Sequence, residues 1–370
     1  MRITGAGVYT QQHEFVEKDV YIRDGLFAEE YDTQENFDAE GLLMIPGLVD
    51  IHFHGAMGHD FCDADREGLK TIAEYEAAHG ITVICPATMT YSEEILGAIV
   101  RNAADFRKSN ESGAAAELLG INMEGPFISG KKLGAQNPRY LHEPDISMFR
   151  RLQKESGDLI KLVDIAPELP GSEDFIRELA GEVNISLAHT AADYETSLRA
   201  FELGARHVTH LYNAMPGINH REPGPIIAAL EKGAEVELIA DGVHVSPAMV
   251  RFTFNTFGED KVILISDSME ATGLPDGEYS LGGQAVTVKG NRAVLTEEPT
   301  TIAGSATNLF DCMRCAVLEM GIPLEKAVRA ATENPARAIG IFDRYGSIEP
   351  GKAAKAVLMD RQLNIRKVIL

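Results

Sequence analysis

From residue 46 to residue 344 one pattern recurs: a short apolar run, then a longer amphipathic stretch, then another run. The runs read LVDIHFHG, ITVICPATM, LLGINMEGPF, IKLVDIAPE, VNISLAHT, HVTHLYNA, VELIADGVHV and KVILISDSM. Eight β-like runs separated by helix-like spacers are what an α/β fold of the (β/α)8 TIM-barrel type requires. A chain of 370 residues would suggest two or three domains on length alone, but barrels of this type run long as one. The segment GEYSLGGQAVTVKGNRAVL, near 277–296, reads as a β-hairpin inserted after the eighth run. Residues 1–45 and 345–370 have strand character, with no room for a βα unit. The simplest expectation is one small β domain, a sandwich, built from both termini.

The formal net charge of −22 makes the surface repel nucleic acid and anionic membranes, so neither is expected as a partner. No apolar run reaches membrane-spanning length, and no basic-then-apolar leader opens the chain; a cytoplasmic enzyme is the expectation. An anionic substrate would need a local cation at its site. The four cysteines, Cys62, Cys85, Cys312 and Cys315, are too few for a disulfide framework at this length. The CxxC of Cys312 and Cys315 lies in a helical stretch with no second pair to complete a zinc cage, and reads as buried thiols.

The polar residues sit at one end of the runs. His52 and His54 end the first, Glu124 the third, His189 the fifth, His210 the sixth and Asp267 the eighth; His244 lies just past the seventh. In barrel enzymes catalytic groups come from the C-terminal ends of the strands. His52 and His54 are two residues apart, so on a strand both project to one side. Imidazole nitrogen and carboxylate oxygen together suit zinc or another first-row divalent ion. A lone strand histidine is usually packed and hydrogen-bonded. Four histidines and a glutamate at strand ends are hard to explain that way, because each buried polar group would need its own partner. Asp267 follows VILIS, which places a carboxylate beside the metal as general base; the competing role is a cap for the next helix. His13, His59, His79, His142, His207 and His220 are read as structural or surface residues.

The segments PGLVDIHFHG, INMEGPFIS, GAQNP, LAHT, THLYNAM followed by HREPG, IADGVHV, ISDSM and AGSATNL resemble the amidohydrolase superfamily, and within it the N-acetylglucosamine-6-phosphate deacetylases. They occur in family order over nearly the whole chain. The resemblance implies that Glu124, His189 and His210 are the principal metal ligands, that His52 and His54 serve a second site, and that Asp267 is the general acid/base. It implies sugar contacts from Asn213 and Ala214, phosphate-side contacts from His244 and Arg221, and further substrate wall from Ala135, Gln136 and the stretch Ile302, Ala303, Gly304 and Ser305. Some relatives carry His where this chain has Gln136. The carboxylated lysine frequent after the fourth strand has no counterpart, since Lys161 opens that run; Glu124 is the natural bridging ligand instead.

The implied activity is deacetylation of N-acetyl-D-glucosamine 6-phosphate to glucosamine 6-phosphate and acetate by a metal-activated water. The implied cofactor is Zn2+ first, with Fe2+, Co2+ or Mn2+ as alternatives, one or two ions per subunit. The implied assembly is a homodimer in which Arg221 reaches the partner's phosphate. Two other readings stay open: the same chemistry on N-acetylgalactosamine 6-phosphate or another N-acyl compound, and a barrel without catalysis that serves as a structural or regulatory protein. No GxSxG elbow argues for a covalent intermediate.

Overall fold

The computed structural model describes residues 1–109 and 114–370. Each of the eight apolar runs contains a strand: Leu48–Asp50, Ile81–Ile84, Ile121–Met123, Ile160–Ile165, Asn184–Leu187, His207–Val208, Glu235–Ile239 and Val262–Ile265. Pairing between neighbours is parallel, in a three-stranded and a six-stranded sheet. The first sheet holds strands one and two plus Glu117–Leu118; the second holds strands three to eight in order. Backbone hydrogen bonds link the two sheets at both seams. Thr88 and Asn122 join strand two to strand three. Asp267 N–H donates to the His52 carbonyl at 2.9 Å and His54 N–H to the Ser268 carbonyl at 2.7 Å, joining strand eight to strand one.

A helix follows each strand. Arg66–Ala78, Ile146–Ser156 and Tyr194–Leu203 begin at Asp65, Asp145 and Asp193, whose side chains accept backbone N–H groups of the first turn. The outward faces of the strands (Leu48, Ile84, Ile121, Val163, Leu187, Val236 and Leu264 among them) pack with these helices in the main core. Parallel strands covered by helices read as near-continuous apolar runs, which is why they stood out. The segment after strand eight is a three-stranded antiparallel sheet, Gly277–Leu281, Gln284–Lys289 and Arg292–Leu295, rather than the expected single hairpin. Its two turns, at Gly282–Gly283 and Gly290–Asn291, divide the segment into three strands.

The terminal segments form two further sheets. Leu26–Ala28, Val20–Arg23, Arg2–Thr4 and Asn36–Asp38 make one; Ile365–Ile369, Ala356–Met359, Leu43–Pro46, Gly7–Tyr9 and Phe15–Glu17 make the other. Ile3, Val8, Phe27, Met44, Ile348 and Leu358 share a separate buried cluster. No helix among the described residues is long and apolar enough to cross a membrane. The four cysteines are unbridged, with Cys85 and Cys312 buried.

Candidate active site

His52, His189, His210 and Asp267 each stand two residues past the last paired residue of their strand, and Glu124 one residue past. Five of the eleven non-glycine residues with positive φ among the described residues fall here: His189, His210, Tyr212, Ala214 and Asp267. Left-handed backbone is unfavourable for such residues and persists where surrounding contacts over-determine it. At Asp267 those contacts are its N–H on the His52 carbonyl and its carbonyl on the Ser305 N–H. The turn aims the carboxylate into the mouth of the sheet instead of along it. No helix begins there for Asp267 to cap.

The side chains converge in two groups. Glu124 Oε1 lies 3.0 Å from His189 Nε2 and 3.2 Å from His210 Nε2, and those two nitrogens are 3.1 Å apart. His54 Nε2 lies 3.4 Å from Glu124 Oε2 and 3.2 Å from Asp267 Oδ1, and His52 Nε2 is 3.7 Å from both Glu124 Oε1 and Asp267 Oδ1. His52, Glu124 and His210 on one side, and His52, His54 and Asp267 on the other, form two buried sets with ligand atoms all within 4.8 Å. Glu124 has an oxygen facing each.

Several observations fit a cation there. His189 Nδ1 is 2.8 Å from the Lys132 carbonyl, which can only accept, so the ring proton sits on Nδ1 and Nε2 presents a lone pair. That lone pair faces a carboxylate oxygen at hydrogen-bond distance. His52 Nδ1 is likewise 3.0 Å from Glu237 Oε2, which turns the Nε2 lone pair toward Glu124 and Asp267. His52 Nε2 and Glu124 Oε2 are buried without any hydrogen-bond partner among the described residues. Burial opposes charge on His52, His54 and His189, yet the surrounding carboxylates outweigh it and raise all three imidazoles above their ordinary range. Burial also opposes ionisation of Glu124 and Asp267, yet the histidines hold both below the usual carboxylate range. The cluster demands positive charge, and a divalent ion supplies it while satisfying the inward-facing lone pairs.

A cavity of about 300 Å3 opens over this cluster. His54, Glu124, His189, His210 and Asp267 form its floor, with Ala135, Gln136, Asn213, Ala214, His244, Ile302 and Gly304 on the walls. Ala303 and Ser305 are fully buried and stand behind the wall. His52, also fully buried, lies beneath the floor. Gln136 Oε1 accepts the Thr90 N–H at 2.7 Å. Asn213 donates its amide to the carbonyls of His210 and Leu211, leaving its Oδ1 for a ligand. His244 Nδ1 is 2.8 Å from Asp241 Oδ2; burial disfavours charge on the ring, but Asp241 prevails and raises its pKa above the ordinary imidazole value. Arg221 lies elsewhere, in an exposed loop beside His220 and lining a separate groove with Asp193 and Pro223.

Sequence reasoning missed Tyr212, Met89, Leu281, Thr300 and Thr301 on the walls, and Asp241 and Glu237 behind the histidines. The i, i+3 spacing of Asp241 and His244 in ADGVH was the available signal for that pair. Glu237 gave none, since a glutamate alternating with apolar residues on a strand ordinarily faces water.

A model of the amidohydrolase family matches residues 43–370. The chain is 39% identical over 340 residues to the N-acetylglucosamine-6-phosphate deacetylase of Bacillus subtilis strain 168, covering 91% of this chain and 85% of that protein. It is 34% identical over 333 residues to the N-acetylgalactosamine-6-phosphate deacetylase of Escherichia coli O157:H7, covering 90% and 86%. It superposes with a TM-score of 0.92 and 32% identity on a mutant N-acetyl-D-glucosamine-6-phosphate deacetylase from Mycobacterium smegmatis in complex with N-acetyl-D-glucosamine-6-phosphate, covering 100% of this chain and 97% of that one.

Proposed function

We infer the function from one premise: the chain belongs to the amidohydrolase family and, within it, to the N-acetylglucosamine-6-phosphate deacetylases. It hydrolyses the acetamide of N-acetyl-D-glucosamine 6-phosphate, giving glucosamine 6-phosphate and acetate. The observation that carries this reading is the pair of histidine–carboxylate groups that share His52, with Asp267 at the floor of a cavity the size of a small ligand.

A divalent ion held by Glu124, His189 and His210, with His52 and His54 available to a second, would supply Lewis acidity toward water and the acetyl carbonyl. Zn2+ suits the donor set first, with Fe2+, Co2+ and Mn2+ as alternatives. Asp267, kept ionised by His54 and His52, accepts the proton of the attacking water at Oδ1 and returns it to the departing amine. His244, oriented by Asp241, offers its other ring nitrogen to substrate oxygen. Gln136, Asn213 and the backbone from Ile302 to Gly304 shape the sugar site, and Ala135 and Ala214 bound it.

The two parallel sheets are read as one (β/α)8 barrel, supported by the hydrogen bonds at both seams. Residues 1–45 with 345–370 are read as a small β domain, supported by its separate apolar cluster, and 46–344 as the catalytic domain. A homodimer is proposed in which the exposed loop carrying Ile218 and Arg221 brings Arg221 to the partner's phosphate; Arg221 is absent from its own cavity wall. Mixed dimers of Arg221→Ala and Asp267→Asn protomers would then recover one complete site. No recovery in verified heterodimers would refute the shared site.

The deciding assay is acetate release from N-acetylglucosamine 6-phosphate together with metal analysis. Absence of both turnover and bound metal would overturn the function. The 34% identity to an N-acetylgalactosamine-6-phosphate deacetylase keeps N-acetylgalactosamine 6-phosphate as a second substrate to be compared in parallel.

A further inference from the structure

Of the four histidines at the cluster, two are held from behind. His189 leans on a backbone carbonyl, and His52 on the carboxylate of Glu237. His54 Nδ1 and His210 Nδ1 have no hydrogen-bond partner among the described residues. Glu237 compensates for His210 by another route. Its Oε2, besides receiving His52 Nδ1 at 3.0 Å, accepts the backbone N–H of His210 at 3.2 Å, and its own carbonyl accepts the Leu211 N–H at 2.9 Å. One side chain therefore fixes the ring of one candidate ligand and the left-handed backbone of another, whose φ is 30°.

Glu237 is itself locked. Its Oε1 is 3.0 Å from His207 Nε2, and His207 Nδ1 is 3.3 Å from Glu235 Oε2. Both Glu237 and His207 are fully buried in the interior. A buried charged group that faced no partner would be costly, and here every oxygen of Glu237 has one. The order of contacts runs away from the metal cluster: His52, Glu237, His207 and then the part-exposed Glu235.

We propose that Glu237 and His207 form a positioning pair that fixes His52 as an Nε2 ligand and sets the backbone of His210, joining the two halves of the metal cluster. This rests on the reading of the cluster as a metal site. The carboxylate fixes the Nδ1–H tautomer of His52, and a carboxylate behind a ligating imidazole raises its basicity. A neutral or apolar group at 237 removes that charge. His207 keeps Glu237 from turning away.

The test is zinc affinity, by competition with a chromophoric chelator on metal-stripped full-length protein. Wild type is expected to bind Zn2+. Glu237→Gln is expected to weaken binding by about 10–100-fold, the usual cost of losing a group behind a metal ligand, while the metal-free Tm stays near that of wild type. His207→Leu is expected to weaken binding, and His207→Gln, which keeps a donor toward Glu237, to restore it. Unchanged zinc affinity in folded Glu237→Gln would overturn the proposal, as would a fall in metal-free Tm alone. Should the 237 variants not fold, 15N spectra of histidine-labelled, zinc-loaded wild type decide. The proton on His52 Nδ1 is the expected result, and metal on Nδ1 the contrary one. If wild type itself bound no zinc or other divalent ion, the metal reading would fail along with this one, and the failure would be visible before any variant was made.

Discussion

Single residues carry the chemistry, and their neighbours decide whether they can. Asp267→Asn removes the proposed proton acceptor and keeps the shape; kcat is expected to fall on the order of 10²–10⁴-fold with metal content intact. Near-normal kcat would refute the role. Gly304 is a subtler case. It has φ 65°, and an added Cβ would meet the Asp267 carbonyl at 3.2 Å and Met269 Cβ at 3.3 Å. Gly304→Ala is therefore expected to shift the turn that aims Asp267, lowering kcat more than it raises KM; steady-state kinetics check the split. At this scale His52, His54, Glu124, His189, His210 and Asp267 were legible because polar residues break apolar runs at the same end of each. Glu237 and His207 were not. They sit inside strands, where alternation alone does not separate a solvent-facing glutamate from one turned into the interior.

Whole elements were legible where their periodicity was long and their role single. The eight strands announced themselves by buried apolar faces. The inserted sheet was read one strand short because its third strand, RAVL, is brief. That sheet and the loop after it also contribute to the site: Leu281 and residues Thr300 to Ile302 line the cavity. Two side chains pin it there, Gln284 to the Ala135 carbonyl and Asn291 to the Asp241 carbonyl at 2.9 Å. Gln284→Ala is expected to raise KM while leaving kcat within a few-fold. Equal KM for both proteins would show that the pin is idle. A second element-scale effect concerns the turn between the last two strands. Asp360 accepts the N–H groups of Asn364 and Gln362 and pairs with Arg366, and these contacts, the Asn364 backbone bond first, lower its pKa to about 2. A carboxyl whose folded pKa lies below its unfolded value of about 3.9 stabilises the fold above that value and loses the effect as pH falls toward 2. The Tm deficit of Asp360→Asn should be present at pH 7 and close between about pH 4 and pH 2.

The molecule as a whole carries a net charge of −22, an unfavourable field for a sugar phosphate. Salt shortens the reach of that field, with a Debye length of about 10 Å at 0.1 M. For a phosphorylated substrate, kcat/KM should rise with moderate added salt, while turnover of the neutral sugar stays flat; parallel salt series measure both. A fall for the phosphorylated substrate alone would mean that local attraction, from groups such as Arg221, governs the approach. Strand Leu43–Pro46 lies between Gly7–Tyr9 and Ala356–Met359, so one neighbour is close in sequence and the other about 300 residues away. On the ribosome, where domains fold as they emerge, that strand waits with one edge bare while those intervening residues are made. The sheet that holds it is completed only when residues 356–369 emerge, and a chain stalled before them would present a sticky edge to its neighbours.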